Sequence, residues 1–200
     1  MAADVIQLIA GLANPGKTYA HSRHNAGSWL IHALVKQGST LLKVDPKFFG
    51  LTAQLSLDNQ SCWLLIPTTY MNHSGQSLRA LAKFYRIRPQ AILVVHDELD
   101  LPAGVLRFKQ GGGTGGHNGL KDIVMQLGSN DFWRLRIGIG HPGHRDAVHH
   151  YVLNSPSTTD LEAITQGIAR ALPQLPRFVS GQQHAVMQLL HTPSSAAKNL

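Results

Sequence analysis

The sequence is poor in cysteine and in charge. Its 200 residues include one cysteine, Cys62, so no internal disulfide can form. Cys62 lies in the apolar run CWLLI, which predicts a small buried side chain in a reducing cytoplasm. Charged residues make up only 14% of the chain against 43% apolar ones, a balance typical of globular proteins rather than disordered or fibrous ones.

Targeting segments and several catalytic signatures are also absent. The apolar stretch after Met1 has no basic leader and breaks at Asn14-Pro15, so we expect neither a signal peptide nor a membrane span. The chain has no G-x-S-x-G motif, which argues against a serine hydrolase. It has no H-E-x-x-H or Cys/His zinc spacing either, so the histidine-rich segment HPGHRDAVHH predicts no metal site and is assigned no role.

What the chain does have is positive charge. Lysine and arginine outnumber aspartate and glutamate by 18 to 11, which gives a formal net charge of +7 and a pI of about 9.9. This excess predicts a polyanionic partner, for which nucleic acid is the first candidate. The length predicts one domain, residues 1–192, and the low-complexity ending TPSSAAKNL predicts a mobile tail at residues 193–200.

Short β-rich runs alternate with helical patterns along the chain. This alternation predicts an α/β fold, a single domain with a twisted mixed β-sheet surrounded by helices. The predicted strands are Ile6–Gly11, Thr52–Leu57, Trp63–Ile66, Ile92–His96, Leu106–Lys109 and Leu135–Ile139. The predicted helices lie at Ala26–Lys36 and around the apolar positions Leu78–Tyr85, Leu120–Leu127 and Leu161–Leu172.

Two glycine-rich stretches match nucleotide-binding patterns. GLANPGKT, residues Gly11–Thr18, fits the phosphate loop G-x-x-x-x-G-K-[ST], and ILVVHDE resembles the strand that usually accompanies it. However, Pro15 removes a backbone N–H from the phosphate cradle, and regular helical spacing starts only near Trp29. GGGTGG, residues Gly111–Gly116, fits G-x-G-x-x-G but lacks an acid at the end of the next strand. Both patterns therefore argue weakly for nucleotide binding.

Polar side chains gather instead in the loops that follow the predicted strands. In a sheet fold such loops tend to meet at one edge and build a single site. Taken singly, these residues have ordinary explanations: Asn72 and Asn118 as helix N-caps, and Asp97 as a turn residue. Together, a histidine and an acid among several amides indicate a general base held by a carboxylate. The set comprises Asn14, His24, Asn25, Asn72, Asp97, His117 and Asn118.

Four basic residues flank the second glycine-rich stretch on neighbouring strands: Arg107, Lys109, Arg134 and Arg136. Because side chains alternate along a strand, Arg107 and Lys109 lie on the same face of the first strand. Arg134 and Arg136 likewise lie on the same face of the second strand. Charges in a strand either face water or bind a partner. Two such pairs beside a polar site favour contacts with nucleic-acid phosphates.

Five segments together resemble the bacterial peptidyl-tRNA hydrolase family: GLANPGKTYAHSRHNAG, KFFG, PTTYMNHSG, HDELDLPAGVLRFKQGGGTGGHNGLKDI and RLRIGIGHPG. They follow in the family's order and spacing from about Ile6 to Val152, and beyond Val152 only helical character is shared. The resemblance implies a single-domain α/β fold and a monomeric cytosolic enzyme without a cofactor. The implied reaction hydrolyses the ester between a peptide and the 3′ ribose of tRNA, which recycles the tRNA.

The resemblance also implies roles for individual residues. His24 matches the family's catalytic base, Asp97 the acid that holds it, and Asn14 the residue that distinguishes blocked from free aminoacyl ends. Tyr70 stands where Phe is usual, and Arg107 where Lys is common. The residues that match contacts to the tRNA end and the peptide are Tyr19, Tyr70, Met71, Asn72, His117 and Asn118; those that match basic contacts to tRNA are Arg107, Lys109 and Arg136.

Two questions stay open at this point. The donor that stabilises the oxyanion is expected to be an amide side chain, and either Asn72 or Asn118 fits that role. The same basic face would also serve a non-catalytic RNA-binding module, which is the leading alternative to a hydrolase. A nucleotide hydrolase is the second alternative.

Overall fold

Seven strands and seven α-helices make up residues 4–191, the part of the chain that the computed structural model describes. The strands are β1 (Leu8–Gly11), β2 (Lys43–Asp45), β3 (Gly50–Leu57), β4 (Gln60–Pro67), β5 (Ile92–Glu98), β6 (Leu106–Gln110) and β7 (Trp133–Gly138). The α-helices are α1 (Ala26–Gln37), α2 (Ser74–Tyr85), α3 (Asn118–Leu127), α4 (Val148–Leu153), α5 (Thr158–Ala171), α6 (Leu175–Val179) and α7 (Gln183–His191). The tail predicted at residues 193–200 lies outside the described residues.

All seven strands join one mixed sheet in the order β2-β3-β4-β1-β5-β7-β6. β1 runs parallel to β4 and β5, and β5 runs parallel to β7. The pairs β2–β3, β3–β4 and β6–β7 are antiparallel. The predicted single-domain α/β fold with a mixed sheet is confirmed. The parallel strands β1, β4, β5 and β7 end at the same edge of the sheet, where the loops that follow them meet.

The central strands are buried on both faces because helices cover both sides of the sheet. In β1, Ile9 belongs to one apolar core, while its neighbours Leu8 and Ala10 belong to the other. Helices α1, α5 and α6 complete the first core, and α2 and α3 complete the second. This double burial explains why β1 and most of β5 are continuous apolar runs in the sequence rather than alternating ones.

Every predicted strand and helix is present, with bounds that differ by a few residues; the first strand, for example, begins at Leu8 rather than Ile6. Cys62 is buried and unpaired, as predicted. The sequence pattern missed β2 because its three residues are mostly exposed and Val44 faces solvent. It also missed the short helices α4, α6 and α7.

The GLANPGKT stretch lacks the helix that a phosphate loop requires. After Gly16 the chain forms a 3₁₀ turn, Lys17–Tyr19, and the first α-helix begins only at Ala26. A phosphate loop holds its anion at the N-terminus of a helix that starts at the lysine. The expectation that no α-helix starts at Lys17 is confirmed.

Two glycines allow α1 to lie directly against the ends of β1 and β5. A Cβ atom at Gly27 would overlap the Val95 carbonyl oxygen and lie 2.7 Å from the Leu12 nitrogen, and one at Gly11 would overlap the Gly27 carbonyl oxygen. Only a hydrogen atom fits at such a contact. The close approach places the 3₁₀ turn Arg23–Asn25, which directly precedes α1, at the carboxyl edge of the sheet.

Helix α7 covers part of the outer edge of β6. The Phe108 N–H donates to Nε2 of His191 at 2.9 Å, and Nη1 of Arg107 donates to the Leu190 carbonyl oxygen at 3.0 Å. Partial burial, followed by the charges of Arg107 and Arg136, lowers the pKa of His191. The lowered pKa favours the neutral ring, whose Nε2 lone pair accepts the bond from the strand.

The central strand β5 contains a buried histidine, His96. Its Nδ1 donates to the Asp97 carbonyl oxygen at 2.7 Å, whereas its Nε2 has no hydrogen-bond partner within residues 4–191. Burial, followed by the effect of His117, lowers the pKa of His96 from 6.5 to about 3. The ring therefore stays neutral in the folded protein through mildly acidic pH.

We expect His96 to make folding stability depend on pH. Between pH 6.5 and about 3, the unfolded chain binds a proton here and the folded chain does not, so stability falls as the pH is lowered. One such group costs about 1.4 kcal/mol per pH unit in that range. The urea unfolding free energy, measured near pH 6.5 and near pH 4.5, should fall less in His96→Asn, which keeps a donor but does not titrate. An equal fall in both proteins would contradict this assignment.

Candidate active site

The polar residues predicted from the sequence meet at the carboxyl edge of the sheet. The 3₁₀ turn Arg23–Asn25 carries His24 to the end of β5, where it contacts Asp97. Asn14, in the loop after β1, contacts Met71, in the loop after β4. His117, at the start of α3, reaches Asp97 from the other side. Three loops, which follow β1, β4 and β6, and the end of β5 thus contribute to one site.

His24 and Asp97 form a buried pair. Nδ1 of His24 donates to the Asp97 carboxylate, with distances of 2.9 Å to Oδ1 and 3.0 Å to Oδ2. This bond fixes the neutral ring in the Nδ1–H form, so the lone pair lies on Nε2. Nε2 makes no hydrogen bond within residues 4–191. The pair therefore has the geometry of a general base oriented by an acid.

Asp97 has a second histidine partner, His117, whose Nε2 lies 3.0 Å from Oδ1. The other ring nitrogen, Nδ1, accepts the N–H groups of Gly119 at 3.1 Å and Leu120 at 3.3 Å. Because Nδ1 accepts two bonds, the proton must be on Nε2 and is donated to Asp97. Both ring nitrogens of His117 are thus used inside the protein.

The N-cap of α3 is His117 and not Asn118, which is the first residue of the helix. Asn72 lies in the 3₁₀ turn Met71–His73, and the N-cap of α2 is His73, without a side-chain bond. The explanation of Asn72 and Asn118 as helix caps is therefore wrong. Both side chains are exposed and make no hydrogen bond within the described residues.

The histidines and the carboxylate shift one another's pKa. Burial alone would lower the pKa of His24, but the charge and the hydrogen bond of Asp97 outweigh it, so that the pKa is raised above 6.5. Burial alone would raise the pKa of Asp97, but His24 and His117 hold it well below its usual range. Asp97 therefore stays ionised, and His24 is a stronger base than an isolated histidine.

His24, Asp97 and His117 also have the residue types of a metal site, and their ligand atoms lie within 4.8 Å of one another. Coordination would require both protons that now bond to Asp97 to leave. With a metal on Nε2, a neutral His117 ring would carry its proton on Nδ1, which could then no longer accept the N–H groups of Gly119 and Leu120. The protons already satisfy the carboxylate, so the donor set fits a hydrogen-bond network better than a metal ion.

Asn14 is buried and its side chain has a defined orientation. Oδ1 accepts the Met71 N–H at 2.8 Å. Because a backbone N–H bonds only to the oxygen of the amide, Nδ2 is turned away from Met71. Nδ2 has no acceptor within residues 4–191. The buried Asn25, for which the sequence predicts no separate role, bonds to the backbone of Asn14.

The remaining predicted contacts surround this centre without bonding to it. Tyr70 is 59% exposed, whereas the neighbouring Met71 is buried. Tyr19 is partly exposed at the end of its 3₁₀ turn. The start of α3 lies against Met71, since a Cβ at Gly119 would stand 2.7 Å from Sδ. The exposed aromatic and amide groups of Tyr70, Asn72 and Asn118 therefore border the buried centre.

The four basic residues of β6 and β7 lie on one face of the sheet. Arg107 pairs with Arg136 across the antiparallel ladder, and Lys109 pairs with Arg134. Arg136 donates to Glu98 at 2.8 Å, and Arg107 contacts the end of α7. Lys109 is exposed and has no salt bridge within the described residues. Of the three residues predicted to contact tRNA, Arg107 and Arg136 thus already bond to other parts of the protein, whereas Lys109 forms no salt bridge within the described residues.

Arg134 bonds to the backbone of a loop, whereas Arg136 pairs with the Glu98 side chain. It is 2% exposed and donates to the carbonyl oxygens of Gly113 at 2.6 Å and Gly112 at 2.9 Å. These bonds support the glycine-rich stretch that leads to His117. The periodicity of the strand predicted which face Arg134 shares, but not that its charge points to the backbone of a loop.

Comparison with known proteins gives a consistent result. Residues 8–198 match the peptidyl-tRNA hydrolase family. A peptidyl-tRNA hydrolase of Haemophilus influenzae is 59% identical over 167 residues, covering 83% of this chain and 86% of the relative. One from Legionella pneumophila is 50% identical over 183 residues, covering 92% and 97%.

Solved structures agree with the sequence relatives. A crystal structure of the Arg119Gln mutant of Acinetobacter baumannii peptidyl-tRNA hydrolase has a TM-score of 0.91 and 45% identity, covering 95% of this chain and 96% of that one. The 1.00 Å structure from the same organism has a TM-score of 0.90 and 46% identity, covering 92% and 94%. With the fold, the site and both kinds of relative in agreement, the chain belongs to the peptidyl-tRNA hydrolase family.

Proposed function

We propose that the chain hydrolyses the ester between a peptide, or an N-blocked aminoacyl group, and the 3′ ribose of tRNA, releasing tRNA for translation. The observation that carries this proposal is the buried His24–Asp97 pair, whose free Nε2 belongs to the same site as the free amide of Asn14. The relatives, named as peptidyl-tRNA hydrolases, support the same reaction. They give no support to a non-catalytic RNA-binding module.

In the proposed reaction His24 is the general base. Nε2 takes a proton from a water molecule while the water oxygen attacks the ester carbonyl, and Asp97 stabilises the imidazolium that forms. His117 acts as a positioning residue, because its bond to Oδ1 holds the carboxylate against His24. The proton then passes to the 3′ oxygen of the leaving ribose as the ester bond breaks.

The developing oxyanion needs a hydrogen-bond donor. The exposed side-chain amides of Asn72 and Asn118 are both available, since neither bonds to the protein within the described residues. Tyr19 and Tyr70 offer aromatic rings on which the terminal bases of a single strand can stack. Arg107, Lys109 and Arg136 would contact phosphates of the tRNA.

We further propose that the enzyme acts as a monomer in the cytoplasm. All residues of the proposed site come from one chain, so no second copy is needed to complete it. No helix within residues 4–191 is long and apolar enough to cross a membrane. The proposed tRNA substrate and the unpaired Cys62 agree with a reducing compartment.

We expect His24→Ala to retain tRNA binding and lose turnover by roughly 10²–10⁴-fold, the usual contribution of a general base. Because the pKa of His24 is raised, wild-type kcat/KM should fall with acidification from a pH above 6.5, as the base becomes protonated. Asp97→Asn should lower the rate and move that acid limb to lower pH, since the charge that raises the pKa is gone. Near-normal rates in both variants, with folding checked by circular dichroism, would eliminate the pair.

Asn14 is expected to select blocked substrates. Its free Nδ2 can donate to the peptide carbonyl, whereas a free aminoacyl end presents an ammonium group with no acceptor. Sites built on such a bond reject the wrong analogue by about 10⁴–10⁵-fold. Asn14→Asp keeps an oxygen for Met71 but replaces the donor with a carboxylate oxygen. It should slow cleavage of N-acetylated aminoacyl-tRNA and narrow the gap to the free form, as the two kcat/KM values will show. An unchanged ratio would place discrimination elsewhere.

Binding of tRNA should weaken as salt rises, because phosphate contacts release counterions. Lys109→Ala should reduce the slope of log K against log salt by about 1, as expected for one phosphate contact. Arg107→Ala should do the same, although it also removes a bond to α7. Arg88→Ala, an exposed change before β5 where Arg88 pairs with Asp4, is the control and should leave the slope unchanged. A constant slope in the Lys109 and Arg107 variants would mean that neither side chain contacts a tRNA phosphate.

A further inference from the structure

Asn25, the residue after His24, bonds to the backbone of Asn14 through both ends of its side-chain amide. Oδ1 accepts the Asn14 N–H at 2.8 Å, and Nδ2 donates to the Asn14 carbonyl oxygen at 2.9 Å. Asn25 is 4% exposed, and both bonds are buried. The amide therefore acts as a neighbouring peptide group would in a sheet, satisfying a loop residue that has no strand beside it.

These bonds leave Asn14 one unused polar group. Its N–H and carbonyl oxygen bond to Asn25, and its Oδ1 accepts from Met71. The next residues, Pro15 and Gly16, continue an irregular loop, in which Gly16 has a φ of 92°. Without Asn25, no other side chain among the described residues holds this backbone in place. The Met71 bond orients the Asn14 amide, and the two bonds from Asn25 set the position of the backbone that carries it; the position of Nδ2 depends on both.

Asn25 is itself held firmly. It belongs to the same 3₁₀ turn as His24, its N–H donates to the Ser22 carbonyl oxygen at 2.9 Å, and its own carbonyl oxygen accepts the Ser28 hydroxyl at 2.8 Å. His24 and the residue that supports Asn14 are therefore adjacent residues of one short, hydrogen-bonded turn. A shift of either relative to the other would change the distance between the reacting ester and the neighbouring peptide group.

We propose that Asn25 is a positioning residue for substrate discrimination: it holds the Nδ2 donor of Asn14 at a set distance from His24, so that an amide next to the ester is recognised. This inference rests on the proposed function. It assigns to Asn25 no contact with the substrate and no part in proton transfer. Its effect passes through Asn14 alone.

The test compares kcat/KM for one aminoacyl-tRNA in its N-acetylated and free forms. Asn25→Ala should lower the value for the N-acetylated form by about 10- to 100-fold, as small misplacements of a positioning group do. The value for the free form should change much less. Asn25→Asp retains an acceptor for the Asn14 N–H but sets a carboxylate oxygen against the Asn14 carbonyl, and should narrow the ratio at least as much. In a protein that already carries Asn14→Asp, adding Asn25→Ala should change the ratio of the two kcat/KM values by less than about threefold. The reason is that both residues act through one contact with the substrate, which Asn14 makes.

Ser77→Ala is the matched control. Its hydroxyl is fully buried and donates to the Phe48 carbonyl oxygen at 2.7 Å, away from the site, so it reports the effect of losing a buried bond. It should leave the substrate ratio unchanged. An Asn25→Ala protein that loses both activities by the same factor has only a structural residue at this position, and the proposal is then overturned. Absence of wild-type turnover on the N-acetylated form would overturn the proposed function too, whereas normal wild-type selectivity with unchanged ratios in the Asn25 variants would overturn this inference alone.

Discussion

The carboxylate of Asp97 is the group around which the site is organised. It is buried at the end of the central strand and remains ionised because two histidines donate to it from different parts of the chain. A buried charge without such partners would be costly. The same bonds determine the tautomers of His24 and His117, and through the Nδ1 atom of His117 they extend to the first turn of α3. Charge, protonation and helix position are thus set together.

The topology of the sheet makes this convergence possible. Parallel strands leave their carboxyl ends at one edge, and the glycine contact between α1 and the ends of β1 and β5 brings the turn that carries His24 close to them. The site then separates into a buried centre and an exposed border. The centre holds the His24–Asp97–His117 network, to which we assign the proton transfer, and the border holds the exposed aromatic and amide groups. A reactive group near the surface of a rigid scaffold can act on a substrate much larger than itself.

The sequence predicted the sheet, the main helices and the residue types of the site because those depend on local patterns. The strand-following polar residues place His24 and Asp97 among the candidates with no knowledge of tertiary contacts, and the family resemblance assigns the two residues as base and acid. The bond from His117 to Asp97 was not predictable in this way, since it depends on where α3 sits. The hydrogen bonds between the Asn25 side chain and the Asn14 backbone were not predictable either, because a contact to a backbone requires no particular side chain at the other residue. The alternation of side chains along a strand likewise could not show that Arg134 bonds to a loop whereas Arg136, on the same face, does not.

Because α7 covers part of β6, it affects whether an extended peptide can pair with the edge of the sheet. An open strand edge is a template on which any extended peptide can add as a further strand. Here His191 occupies the Phe108 N–H, and at the opposite side of the sheet the edge strand β2 is only three residues long. A protein whose proposed substrates carry unfinished peptides of every sequence gains from such closed edges. An extended peptide thus finds few open strand positions on which to add, which disfavours aggregation at the edges of the sheet.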